Sequence, residues 1–311
     1  MKLISYQPKS SSKNYRIGAI HGESVIDIQA AYQALLVSRN EGSIADELET
    51  ILPAEPARFF AIGLPAIEKA EEAYQHILKS KEELERLNRE DIKLGNPISA
   101  PGKVICVGKN YEDHVAEMQG DIPEFPVLFA KFNNALIGPE DAIETSDATK
   151  KLDYEVELAF VIGREATKVK REDALSYIAG YTIVNDTSAR DLQKRTPQWL
   201  QGKTLDRSTP IGPWVVTADE IDDPGSLSIR SFVNGVERQA SNTSHLIFDI
   251  PFLVEFISNL ITLNPGDIIL TGTPDGVGFA MDPPQFLKDG DIVTLEIEKI
   301  GRMENRVVHI K

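Results

Sequence analysis

The chain turns on Leu152-Asp153-Tyr154-Glu155-Val156-Glu157-Leu158-Ala159-Phe160-Val161-Ile162-Gly163. Apolar residues alternate with acidic ones and then run on unbroken, the pattern of a β-strand entering a core. Side chains two apart on a strand share a face, which groups Glu155 with Glu157 and sends Tyr154, Val156 and Leu158 to the other side, towards the core. Neighbouring carboxylates repel each other and weaken a strand unless positive charge lies between them. A hard divalent cation such as Mg²⁺, Mn²⁺ or Ca²⁺, which takes oxygen ligands, meets that need. A solvated edge strand carrying charge against aggregation is the other reading. A third acid favours the first: Gly180-Tyr181-Thr182-Ile183-Val184-Asn185-Asp186 reads as a second apolar strand that ends in a carboxylate where a loop begins.

A length of 311 residues with 41% hydrophobic content supports a packed core, in one large domain plus a small one or in two moderate ones. Two prolines and a glycine within residues 97–103 mark the boundary, giving a small N-terminal α/β domain and linker over 1–100 and a strand-rich domain over 101–311. The net charge of −15 excludes nucleic acid as a general partner, because phosphate binding needs a basic field. It leaves room for a small anionic substrate, since lysines and a metal reverse the field inside one pocket. No apolar run reaches membrane-spanning length and the opening Met1-Lys2-Leu3-Ile4-Ser5-Tyr6 lacks a signal-peptide core, so the expectation is a cytoplasmic protein with no membrane partner. The single cysteine, Cys106, sits in the apolar run Val104-Ile105-Cys106-Val107 and reads as a buried structural thiol.

Along the chain, strands are expected near 2–6, 16–20 and 25–28. Ser43-Ile44-Ala45-Asp46 opens a helix that Pro53 stops, and helical spacing of apolar residues extends from 65 to about 89. Further strands are expected at 104–107, 127–131, 267–272, 292–298 and 306–310, with a short helix at 172–178. Asn234-Gly235 joins two strands in a type I′ hairpin, and Asp249-Ile250-Pro251 caps a helix reaching residue 260.

Four pieces carry chemistry. Glu155, Glu157 and Asp186 supply three carboxylates and leave positions on an octahedral ion for water or a chelating substrate. In Asn110-Tyr111-Glu112-Asp113-His114-Val115-Ala116-Glu117-Met118, a helix places His114 and Glu117 on one side, either as an exposed ion pair or as a general base with its orienting carboxylate. Thr271-Gly272-Thr273-Pro274-Asp275-Gly276-Val277-Gly278 breaks a strand into a glycine-rich loop whose N–H groups can approach an anion. Ala189-Arg190-Asp191-Leu192-Gln193 and Gln201-Gly202-Lys203-Thr204 bring a lysine that is either a surface residue or, near a metal-bound oxo acid, a stabiliser of developing negative charge.

These blocks, with Cys106-Val107-Gly108-Lys109-Asn110-Tyr111 ahead of them, stand in an order that strongly resembles the fumarylacetoacetate hydrolase family from about Pro101 to the C-terminus. The resemblance implies an α+β, predominantly β fold: a mixed β-roll or barrel-like catalytic domain behind a small α/β N-terminal domain, usually as a homodimer. It implies one Mg²⁺ or Mn²⁺ per subunit on Glu155, Glu157 and Asp186. His114 and Glu117 become a water-activating pair on a short closing segment, and Lys203 joins them as a catalytic group. Lys109, Tyr111, Gln193 and Thr273 become substrate-binding residues. The chain departs from the family pattern at Lys109, where many members have arginine, at Phe132-Asn133-Asn134 after Lys131, and at His245, a position more often acidic.

The implied reaction is divalent-metal-dependent C–C cleavage of a small 2-oxo or β-diketo acid. Acylpyruvate hydrolysis, as of fumarylpyruvate or acetylpyruvate, leads: water activated by the His-Glu pair attacks the acyl carbon, and the departing pyruvate enolate is stabilised by the cation and Lys203. Oxaloacetate decarboxylation and isomerisation of an unsaturated 2-hydroxy diacid are the alternatives, because both use the same enolate. A non-catalytic metal-binding protein is a further reading, which the intact His-Glu pair and Lys203 disfavour.

Overall fold

In the computed structural model, which describes residues 1–10, 14–41, 47–80 and 87–311, Val156–Ile162 forms a strand buried at every position. It lies antiparallel between Ile178–Asn185 and Ile268–Leu270. Val156, Leu158, Phe160 and Ile162 face one apolar core while Ala159 and Val161 face another. The alternation expected of the strand is present, but neither face meets water. Each fully buried large side chain among them contributes roughly 1.5–3 kcal/mol by leaving water.

The strand does not reach back to Leu152. Leu152–Asp153 is a separate short strand paired with Ser188–Ala189, and Glu155 stands just ahead of the long strand rather than on it. The cause is Asp153. Its buried carboxylate accepts from the backbone N–H groups of Gly278 at 2.9 Å and Phe279 at 3.0 Å and pairs with Arg190, so the chain leaves the long ladder to satisfy it.

The two cores have different covers. On the first lie the helix Ile250–Leu260 and a five-stranded sheet, ordered Val236–Asn242, Ser228–Val233, Ile292–Ile297, Gly301–His309 and Ile143–Thr145. The helices Ile28–Ser38, Pro56–Ile62 and Leu64–Lys79 cover the second. The central sheet has twelve strands, and Lys2–Pro8 joins it by pairing antiparallel with Thr209–Thr217. Sheet and second core thus run continuously across residue 100. The fold is strand-rich α+β, as the resemblance implies. Among the described residues the end strands of the large sheet, Leu87–Asn88 and Val127–Lys131, do not pair with each other, so it is open rather than closed into a barrel.

Local signals fare unevenly. Asn234 and Gly235 have φ of 52° and 78°, the left-handed pair a type I′ hairpin needs, and Asp249 caps its helix by accepting from Phe252 N at 2.9 Å. The helix expected over 65–89 ends at Lys79, and Leu87 pairs in a strand with Val25, so sheet pairing overrides the apolar spacing there. Ser43-Ile44-Ala45-Asp46 and Leu84 lie outside the described residues. The short helix expected at 172–178 is a 3₁₀ helix, Arg171–Tyr177. Cys106 is buried, and burial holds its thiol well above the usual range. Among the described residues no helix is long and apolar enough to cross a membrane.

Candidate active site

Two hydrogen bonds from backbone N–H groups hold the acidic residues together: Glu155 N–H donates to the side-chain Oδ1 of Asn185 at 3.0 Å, and Asp186 N–H to Glu155 O at 2.9 Å. Three carboxylates therefore converge. Oxygens of Glu155, Glu157 and Asp186 lie within 4.8 Å of one another, and all three residues are buried.

Buried charge must be paired, and cations surround the trio. Lys203 Nζ stands 2.6 Å from both Glu155 Oε2 and Asp186 Oδ2. Lys131 Nζ donates to the other Asp186 oxygen at 2.7 Å and to Thr187 O at 3.2 Å. Arg190 reaches Asp153 at 2.8 Å through Nε and Glu155 at 2.7 Å through Nη2. Among the described residues Glu157 has no such partner and accepts only the Gly272 N–H, at 2.8 Å.

That difference divides the cluster. Burial opposes ionisation of Glu155, but Lys203, Arg190 and His114 together outweigh it and hold the carboxyl well below the usual range. Burial pushes Glu157 well above that range, and the charges of Asp186 and Glu155 push it further; Lys203 and the Gly272 N–H oppose them incompletely. The trio therefore lacks positive charge at Glu157. An all-oxygen, buried donor set with one uncompensated carboxylate fits a hard divalent cation. Burial works against the charge on Lys203 too, yet Asp186 and Glu155 keep it protonated, so it is a fixed cation and not a base.

The helix Glu112–Glu117 brings the expected pair together. His114 Nδ1 lies 2.8 Å from Glu117 Oε1, which leaves Nε2 as the available ring nitrogen. The second Glu117 oxygen accepts from Gly276 N–H at 2.9 Å, so the helix is pinned to the glycine loop. Two glycines in that loop are required by shape. Gly272 has φ 104°, and a Cβ there would stand 3.0 Å from Val107 O; Gly276 has φ 93°, and its Cβ would meet Arg238 O at 2.0 Å.

One cavity of about 470 Å³ joins these parts. Glu155, Glu157, Asp186, His114, Lys203, Lys109, Gln193 and Thr273 all line it. Glu117 stands behind His114. The Thr273 hydroxyl is engaged elsewhere, donating to Val156 O at 3.0 Å and accepting from Gln239 at 2.8 Å. Tyr111, expected to bind substrate, does not line the cavity: it is 1% exposed, and its hydroxyl is buried with no hydrogen bond. Its backbone pairs with Leu246, which turns the ring inward. Of the departures from the family pattern, Phe132 is exposed and His245 bonds to Ser241 outside the cavity, whereas Lys109 lines it with a left-handed φ of 57°.

Sequence reasoning gave no role to Lys131, Arg190, Asp153, Lys194 or Trp199. Lys131 had a signal: it ends the apolar strand Val127–Lys131, where an unpaired lysine is costly. Asp153 and Arg190 are opposite charges in neighbouring blocks, but nothing in their spacing announces that they pair.

The family model described as fumarylacetoacetate (FAA) hydrolase C-terminal matches residues 103–308. The chain is 40% identical to oxaloacetate tautomerase fahd2, mitochondrial, of Xenopus laevis, over 99% of this chain and 90% of that protein. It is 41% identical to oxaloacetate tautomerase YisK of Bacillus subtilis (strain 168), over 93% and 94%. Among solved structures, maleylpyruvate hydrolase from Sphingobium sp. SYK-6, in complex with a manganese(II) ion and pyruvate, superposes with a TM-score of 0.76 at 28% identity, covering 100% of both chains. Sequence match, fold and clustered carboxylates agree, and the chain belongs to the fumarylacetoacetate hydrolase family of enzymes.

Proposed function

We propose that the protein catalyses keto–enol tautomerisation of a small 2-oxo diacid of the oxaloacetate type. The carrying observation is that one cavity holds His114, with Nε2 free, and the fixed ammonium of Lys203 beside the carboxylate trio. Tautomerisation needs little more: a group that moves the proton at C3, and positive charge where the enolate oxygen forms. A divalent cation held by Glu155, Glu157 and Asp186, Mg²⁺ or Mn²⁺, would add Lewis acidity at the oxo-carboxylate end.

Glu117 fixes the histidine tautomer by holding Nδ1, so Nε2 takes the C3 proton. Lys203 balances the negative charge that then develops on the C2 oxygen, and a proton returned to that oxygen completes the enol. In the reverse direction the proton goes back to C3. No C–C bond breaks and no water is consumed. This reading displaces acylpyruvate hydrolysis from first place, and the two tautomerase relatives at 40% and 41% identity support the change. Hydrolysis stays as the second reading, because the intact His114–Glu117 pair suits water activation and the maleylpyruvate hydrolase shares the fold over its full length. Decarboxylation would pass through the same enolate.

The test follows enol oxaloacetate by its ultraviolet absorbance while CO₂ and pyruvate are assayed in the same sample, with Mg²⁺ and with EDTA. The expected result is accelerated enol loss without CO₂ above the spontaneous rate, abolished by EDTA and slowed about 10²–10⁴-fold in His114→Gln. CO₂ release at the rate of enol loss would make the enzyme a decarboxylase instead. Inertness towards the enol, with cleavage of an acylpyruvate, would restore hydrolysis.

A further inference from the structure

Lys194 is assigned no part by the family resemblance or by the proton transfer, yet it lines the same cavity. It is the C-terminal cap of the short helix Arg190–Gln193, and its N–H donates to Arg190 O at 3.3 Å. Residues four apart on a helix are neighbours, with Cβ atoms about 5–6 Å apart, and like charges at that spacing destabilise it. Arg190 and Lys194 form such a pair. Arg190 is committed to Asp153 and Glu155, whereas Lys194 is in no ion pair among the described residues. Its Nζ sits instead 3.7 Å from the centroid of the Phe279 ring.

That seat is built. Phe279 N–H donates to Asp153, the carboxylate that also holds Arg190, so ring and guanidinium are fixed by one group. A cation held on an aromatic face, one helical turn from the arginine that holds Glu155, marks a fixed point for a second negative charge. Burial lowers the pKa of Lys194, and repulsion from Arg190 and Lys151 lowers it further, so its surroundings hold an excess of positive charge. This excess stands out in a chain of net charge −15. Lys109, on the strand-to-helix turn of the same cavity, is likewise without an ion pair among the described residues.

We propose that Lys194 binds the distal carboxylate of the substrate and so selects 2-oxo diacids over 2-oxo monoacids. The assignment deepens the tautomerase reading and rests on it for the identity of the near end of the ligand. Its test uses ligands that do not react. Malate and lactate share a 2-hydroxy-carboxylate head and differ only by the distal carboxylate, so the ratio of their affinities reads that one interaction.

Calorimetric titration in Mg²⁺ is expected to show tighter binding of malate in the native protein. Lys194→Met keeps the apolar stem over Phe279 and removes the charge; it is expected to cut the malate-to-lactate ratio about tenfold to a hundredfold, the worth of a charge-assisted hydrogen bond. Lys194→Arg is expected to restore most of the ratio. Equal loss of both affinities in Lys194→Met, or a native protein that binds both alike, would overturn the proposal. A native protein that prefers malate through Lys194 but leaves enol oxaloacetate untouched would instead keep the carboxylate site and remove the tautomerase reading.

Discussion

Two populations of ion pairs occupy this molecule, and they obey different rules. On the surface, Arg39 meets Glu72 at 2.6 Å and Arg302 meets Glu304 at 3.0 Å, with side chains about half exposed. In the interior, Asp153, Arg190, Glu155, Lys203, Asp186 and Lys131 form one chain of alternating charge at 2.6–2.8 Å, almost closed to water. The distances are alike; the surroundings are not. Water and salt screen the first set, so closeness adds little stability. In the second, every charge was stripped of water and depends on its neighbours to offset the cost. Similar geometry therefore adds little stability on the surface, while in the interior each charge holds its neighbour in place.

The strongest way to break this contrast is Lys131→Met. It leaves one Asp186 oxygen buried without its cation, and a loss of about 3–5 kcal/mol is expected in chemical denaturation. A loss below about 1 kcal/mol would mean that the interior chain behaves like the surface one. Glu157→Gln sharpens the contrast from the other side. Glu157 is the acid without a cation partner, so the neutral isostere is expected to leave thermal stability in EDTA unchanged or raised, while Mn²⁺ affinity measured by titration falls at least about tenfold. Destabilisation in EDTA would show that its charge is already compensated. The smallest effect belongs to Arg39→Ala, expected to leave the denaturation midpoint almost unchanged, with any difference from the native protein shrinking further in high salt.

Legibility followed the range of the physics involved. Type I′ geometry at Asn234-Gly235 and the Asp249 cap depend on adjacent residues, and both were readable. Glu155 and Glu157 were readable as partners because they stand two positions apart in an apolar–acidic alternation, although Glu155 lies just ahead of the strand. Asp186 was attached to them by the pattern of a second strand and by family order. The break at Tyr154 was not visible, because it depends on Asp153 receiving N–H groups from Gly278 and Phe279 more than a hundred positions away. Tyr111 misled for a related reason: its place beside His114 in sequence suggested the cavity, whereas its pairing with Leu246 takes it into the interior. The continuous sheet across residue 100 was equally hidden, since Lys2 finds Val216 through register alone.

Glu117 gives the helix Glu112–Glu117 a property that neither of its hydrogen bonds has singly. One oxygen aims the histidine and the other holds the glycine loop, so any movement that lifts the helix off the loop loosens both. Access and readiness are thus bound to a single carboxylate. A helix lifted off the loop would, by the same motion, lose the aim of His114, which the proposed proton transfer needs.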